Sequence, residues 1–174
     1  MSETSYVFFA TGNVYRPPYP PLRERFLTWL TRFLTGGRVA HTLFATGGAV
    51  LDGTFGGNRY YDLAAVIRAY PTLCTVFKVP HPNAVGLDNW LAGVGIEKPI
   101  WPTISRWLGS KRWTNDCLCV VLECLFVAGV PVPLMDLTTP TALYDWLKEN
   151  GFERLEIRPG PQRDLAALAE FCSD

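Results

Sequence analysis

The chain has 174 residues, enough to bury one hydrophobic core, and its 16 basic residues balance its 16 acidic ones. A formal charge of zero gives no global pull toward nucleic acid or an anionic membrane, so neither is expected as a primary partner. With 48% apolar and 18% charged residues the chain is too apolar to be disordered, and its prolines and glycines follow no period, which excludes collagen-like and low-complexity readings.

The opening residues Met1-Ser2-Glu3-Thr4-Ser5 show no basic region ahead of an apolar stretch, so no secretory signal is expected. Tyr6 to Ala10 is a short apolar run closed by Thr11-Gly12-Asn13, the pattern of a buried strand. Tyr15 to Pro21 is too rich in proline to be helical. Leu22 to Leu34 carries Phe26, Leu27, Leu30, Phe33 and Leu34 on one stripe, which predicts an amphipathic helix stopped by Gly36-Gly37. Val39 to Ala45 and Ala49 to Phe55 flank Thr46-Gly47-Gly48 and read as a hairpin, with Gly56-Gly57-Asn58 breaking its second strand. A strand is predicted over Leu73 to Val79, bounded by Pro71 and Pro80, and short helices over Leu87 to Val94 and Thr103 to Leu108. Cys117 to Ala128 is an apolar helix. Pro140 opens another that ends near Asn150-Gly151, Phe152 to Ile157 is a last strand, and Asp164 to Phe171 a terminal helix. A hairpin, isolated strands and helices in this mixture give an α+β fold, with residues 1–174 as a single domain.

Cys117 to Met135 imitates a membrane span, but Glu123 interrupts it and Gly129, Pro131 and Pro133 end any helix there. The helix from Cys117 to Ala128 would be about 18 Å long at 1.5 Å per residue, against the roughly 30 Å of a hydrocarbon core. No transmembrane segment is expected. Five cysteines is an odd number without framework spacing, which fits synthesis in a reducing cytoplasm.

Cys117 follows Thr114-Asn115-Asp116, residues suited to capping a helix, so its thiol falls in a first turn. The positive end of the helix dipole favours the thiolate, the nucleophilic form. His41 is the natural base. If the hairpin turns on Gly47-Gly48, Leu43 faces Asp52 and His41 faces Thr54. His41 and Asp52 then share a face as diagonal neighbours, about 7–8 Å apart along the backbone and within reach of two side chains. An acid beside an imidazole fixes its tautomer and stabilises the imidazolium. A plainer reading stands beside this one: Cys117 as a small apolar residue of a core helix, His41 buried against a backbone carbonyl, and Asp52 in water near a turn. A metal site on Cys117, Cys119 and Cys124 is disfavoured, because residues 117 and 119 of a helix point about 200° apart. No metal and no cofactor are expected. Trp101, Trp107 and Trp113 fit core or groove-lining roles better than base stacking, since few basic residues interleave them.

Asp116-Cys117-Leu118-Cys119-Val120-Val121, with Leu125 and Ala128-Gly129-Val130, resembles the nucleophile helix of NlpC-type papain-fold peptidases, in which a Cys opens the helix and a Gly closes it twelve residues on. No His follows Cys117. The upstream segment from Phe26 to Thr54, with His41 and Asp52, is instead similar to the His hairpin of the circularly permuted branch, which includes the YaeF/YiiX-type amidases and the lecithin:retinol acyltransferase relatives. Leu137 to Leu147 resembles the helix that often follows. The likeness runs from about Tyr6 to Phe152. It departs at Leu118, where the family often has a small polar residue, and at Asp52, where Glu, His or Asn is common. It implies a permuted papain-like domain, a small antiparallel sheet with packed helices, with Cys117 as nucleophile, His41 as base and Asp52 as orienting acid. The implied activity is that of a cysteine hydrolase or acyltransferase on amide, ester or thioester bonds, with a peptide, acyl or cell-wall substrate. It also implies a bacteriophage tail role with other virion proteins as partners. The alternative is a non-catalytic structural or binding protein on the same scaffold.

Overall fold

The structure is a computed structural model and describes residues 3–11, 29, 39–54, 57–69, 72–93, 117–158, 160 and 164–173. The proline-rich loop, the helix expected over Leu22 to Leu34 apart from Trp29, the helix expected over Thr103 to Leu108, the tryptophans from Trp101 to Trp113 and the cap at Thr114 to Asp116 lie outside the described residues.

The fold is α+β. In chain order the elements are β1 (Glu3–Ala10), β2 (His41–Thr46), β3 (Ala49–Thr54), β4 (Gly57–Asp62), α1 (Leu63–Ala69), β5 (Leu73–His81), α2 (Ala84–Gly93), α3 (Cys117–Val127), α4 (Pro140–Glu149), β6 (Arg154–Glu156) and α5 (Leu165–Phe171). The strands form one antiparallel sheet of six in the order β4-β3-β2-β1-β5-β6. β1 is central, as its uninterrupted apolar run requires, and is buried from Ser5 to Ala10.

Alternation splits the core in two. Val7, Phe9, Phe44, Leu51, Phe77 and Val79 face α3, together with Leu87 of α2 and Leu143 and Leu147 of α4. Tyr6, Phe8, Leu43, Val50 and Val76 face the other way, onto Val66 and Ile67 of α1 and Leu168 of α5. A register shift between Phe9 and Ala10 lets Leu73 join the second face, while the Cys74 thiol donates to the Phe9 carbonyl at 3.3 Å.

The hairpin turns on Gly47 and Gly48, both at positive φ (55° and 80°), which two-residue hairpin turns demand and glycine supplies without strain. The observed register, Phe44 with Leu51 and Ala45 with Val50, is the expected one. Three local expectations need correction. β3 ends at Thr54, but the chain re-enters the sheet at Gly57 as the edge strand β4 and then forms α1, neither of which was expected. β5 does not stop before Pro80 but runs through it to His81. The Lys78 amide points away from β1, donating to the Glu153 carbonyl, so by alternation the missing N–H of Pro80 falls on the same outer side, beyond the end of β6. The expected sheet was small, whereas among the described residues it has six strands.

α3 is buried almost all round, as its nearly unbroken apolar sequence dictates. α4 is amphipathic. Thr139 caps its start by accepting from the Ala142 amide at 3.0 Å, and Gly151, at φ 75°, closes its end. Among the described residues no helix is long and apolar enough to cross a membrane.

Candidate active site

Three elements converge at the end of β1 marked by Ala10. His41 begins β2 and pairs with Ala10. Asp52 lies in β3. Cys117 is the first residue of α3. The register of the hairpin, set by its glycine turn, makes His41 and Asp52 diagonal neighbours, and their side chains meet: His41 Nε2 lies 2.7 Å from Asp52 Oδ1. Both are buried, His41 at 4% exposure and Asp52 at 0%.

The Cys117 thiol reaches the same imidazole as a hydrogen-bonding and electrostatic partner. Burial on its own would lower the pKa of His41. Cys117 first, and Asp52 second, outweigh it and hold the imidazole well above its ordinary 6.5. His41 therefore keeps its proton well above pH 6.5. Asp52 Oδ2 is buried with no hydrogen-bond partner among the described residues. Its charge is thus poorly shared, and the imidazolium is its main compensation.

Cys117 is partly exposed, as a nucleophile must be, whereas Cys119 and Cys124 are buried in α3. Burial, aided by the Glu123 charge, pushes the Cys124 thiol well above the ordinary range, and burial pushes Cys172 up to about 12. The helix thus presents one of its three thiols to both solvent and base. Among the described residues no group of three or more His, Cys, Asp or Glu side chains could hold a metal ion. A shallow groove lined by Thr4, Lys78, Pro80 and Gly151 lies toward the opposite end of β1, remote from Cys117.

His81, beyond the predicted end of the Leu73 to Val79 strand, is the buried last residue of β5 and lies 2.8 Å, through Nε2, from Ser5 Oγ. The signal was present in the position of Ser5 at the head of an otherwise apolar strand, but it becomes legible only when β1 and β5 are known to pair.

No family model, curated protein or solved structure matches the chain.

Proposed function

We propose that the protein is a cysteine-nucleophile hydrolase or acyltransferase acting at an amide, ester or thioester carbonyl. The observation that carries this reading is a single imidazole, His41, shared between the carboxylate of Asp52 and the thiol of Cys117. His41, as imidazolium, already holds the proton given up by Cys117, and the sulfur attacks the substrate carbonyl. The tetrahedral oxyanion is met by the Cys117 backbone N–H, which at the first position of a helix has no intrahelical acceptor. His41 then protonates the leaving amine, alcohol or thiol, and an acyl-enzyme forms. Water or another nucleophile, deprotonated by His41, releases the acyl group and restores the thiol. Asp52 keeps the imidazole oriented and its positive charge stabilised throughout. No step requires a metal or cofactor.

The permuted papain-like arrangement belongs to the same proposal. A cysteine-headed helix packed on one face of an antiparallel sheet, with His and acid on adjacent strands, supports it. The substrate is proposed from the resemblance alone: cell-wall peptides or lipid acyl groups, with a place in a phage tail.

Substituting Cys117→Ala is expected to abolish turnover of any substrate found. Iodoacetamide gives a substrate-free test. Cys117 should alkylate selectively well below pH 8, because its proton has a base to go to, while Cys172 stays inert. Labelling of Cys117 no faster than Cys172 would sink the mechanism. The second reading, a binding or structural protein on this scaffold, draws on the exposed apolar side chains of Val85, Phe126 and Met135, and that same outcome would favour it.

A further inference from the structure

A nucleophile on a helix and its base on a sheet work only if the helix is held at one position along the sheet. Cys117 meets His41 at the Ala10 end of β1. The opposite end of α3 comes to rest beside the chain leaving β5, whose last residue, His81, pairs with Glu3 at the other end of β1. α3 therefore runs along the sheet and is fixed at both ends.

The far end can be accounted for carbonyl by carbonyl. Ala128 N–H donates to Cys124 O, Gly129 N–H to Phe126 O, and Val130 N–H to Leu125 O. With Gly129 at φ 82°, the last two bonds form a Schellman cap. That motif leaves the carbonyls of Val127 and Ala128 without intrahelical donors. Asn83 supplies both: its side-chain Nδ2 donates to Val127 O at 2.8 Å and its backbone N–H to Ala128 O at 3.3 Å. Its other two polar groups start α2, with Oδ1 accepting from Gly86 N–H at 3.0 Å and its carbonyl from Leu87 N–H at 3.1 Å.

All four polar groups of one residue are thus spent joining two helix ends. The junction is seated on the sheet. His81, two residues earlier, is bonded to Ser5 of β1, and the Pro82 ring packs close to Gly129. α2 is itself anchored by Leu87 in the core and by the Tyr60 hydroxyl of β4, which donates to Leu91 O at 3.0 Å.

We propose that Asn83 is a positioning residue for Cys117: by tying the C-terminal end of α3 to the N-terminal end of α2, it sets where along the sheet α3 stands and hence where sulfur meets imidazole. This rests on the cysteine-nucleophile reading. Asn83 touches no reacting atom and acts through the rigid body of α3. A misplacement of about 1 Å at a reacting centre can cost on the order of a hundredfold in rate, so a modest slide of the helix has a measurable effect.

Two substitutions break the tie by different routes. Asn83→Asp keeps an oxygen for Gly86 N–H, so α2 stays capped, but sets a carboxylate against the Val127 carbonyl in place of a donor. Gly86→Ala adds a Cβ into the space filled by the Asn83 amide, which must swing away, while alanine is the better helix former. The experiment measures iodoacetamide alkylation of Cys117 from pH 5 to 9 in the full chain. Both variants are expected to lower the rate at pH 6 about tenfold and to move the pH profile toward that of a free thiol, even though Gly86→Ala favours the helix. Wild-type rates and pH profile in both folded variants would overturn the role of Asn83, as would a loss confined to thermal stability. If wild-type Cys117 itself labels no faster than Cys172, it is the cysteine-nucleophile reading that fails, so the two failures are distinguishable.

Discussion

Asp52 takes a carboxylate wholly out of water and satisfies one of its oxygens with the imidazole of His41. Such a group is tolerated only if it holds a positive charge nearby, and removing that charge partner is costly. Asp52→Asn keeps the shape and an oxygen for Nε2 but removes the charge. It is expected to lower the His41 pKa, read from ring resonances across a pH titration, because a contacting opposite charge favours the protonated imidazole. An unmoved His41 titration would mean that Cys117 alone sustains the imidazolium. The two histidines also give opposite pH dependences to stability. His41 is raised, so in the folded protein it retains a proton that the unfolded chain loses above about pH 6.5. Its stabilising contribution is complete below that pH and fades as pH rises through the folded value. His81 is lowered, because burial outweighs the nearby charges of Glu3 and Asp88. Its neutral form stabilises the fold above about pH 6.5 and that contribution is lost as pH falls through the folded value. Replacing His81→Gln should therefore flatten the acid limb of stability between pH 7 and 5, measured by guanidinium unfolding, and leave the alkaline limb as it was. A wild-type acid limb in the variant would assign the loss to other groups.

The hairpin β2–β3 fixes the diagonal between His41 and Asp52, and its turn fixes the hairpin. Gly48 sits at φ 80° with open space where a Cβ would be, so a side chain there is opposed by backbone conformation and not by a clash. Gly48→Val should cost about 1–2 kcal/mol in thermal unfolding, whereas Gly47→Asn should be neutral within about 0.5 kcal/mol, since asparagine suits the first position of such a turn. Equal costs would show that the turn is not held in the left-handed region. The same turn explains why this part of the site was legible in the sequence: a pair of glycines between alternating runs specifies the register, and register specifies which side chains share a face. The apolar helix from Cys117, the Pro140 helix and the capped terminal helix were legible for similar local reasons. β4 was not. Its Gly57 and Asn58 have poor strand propensity, and only its pairing with β3 overrides that preference. Nor was the continuation of β5 through Pro80, which depends on which neighbour the missing amide faces, a fact of the sheet and not of the segment. The partnership of Asn83 with the end of α3 joins residues 44 positions apart and left no local trace.

The sheet stands between two cores, and the candidate site draws on them unequally. Cys117 belongs to α3, whose buried side chains lie in the core shared with α2 and α4, while α1 and α5 fill the core on the other face. Leu125 and Leu168 are both fully buried, one in each core. Truncating either to alanine should cost about 2–5 kcal/mol, and the stability losses should look alike in a melting experiment. Their effect on chemistry should differ. A cavity at Leu125 lies under the helix that carries the nucleophile and lets it relax toward the sheet, so the sulfur moves against His41. A cavity at Leu168 lies behind the sheet, where the strands themselves insulate the site. Iodoacetamide labelling of Cys117 at pH 6, far below either melting temperature, is therefore expected to slow several-fold in Leu125→Ala and to remain at the wild-type rate in Leu168→Ala. Distant, unconnected sites are expected to act independently in this way, and opening on one face need not open the other. If Leu168→Ala slows labelling as much as Leu125→Ala does, the reactivity of Cys117 follows the stability of the whole molecule, and the two faces respond as one unit.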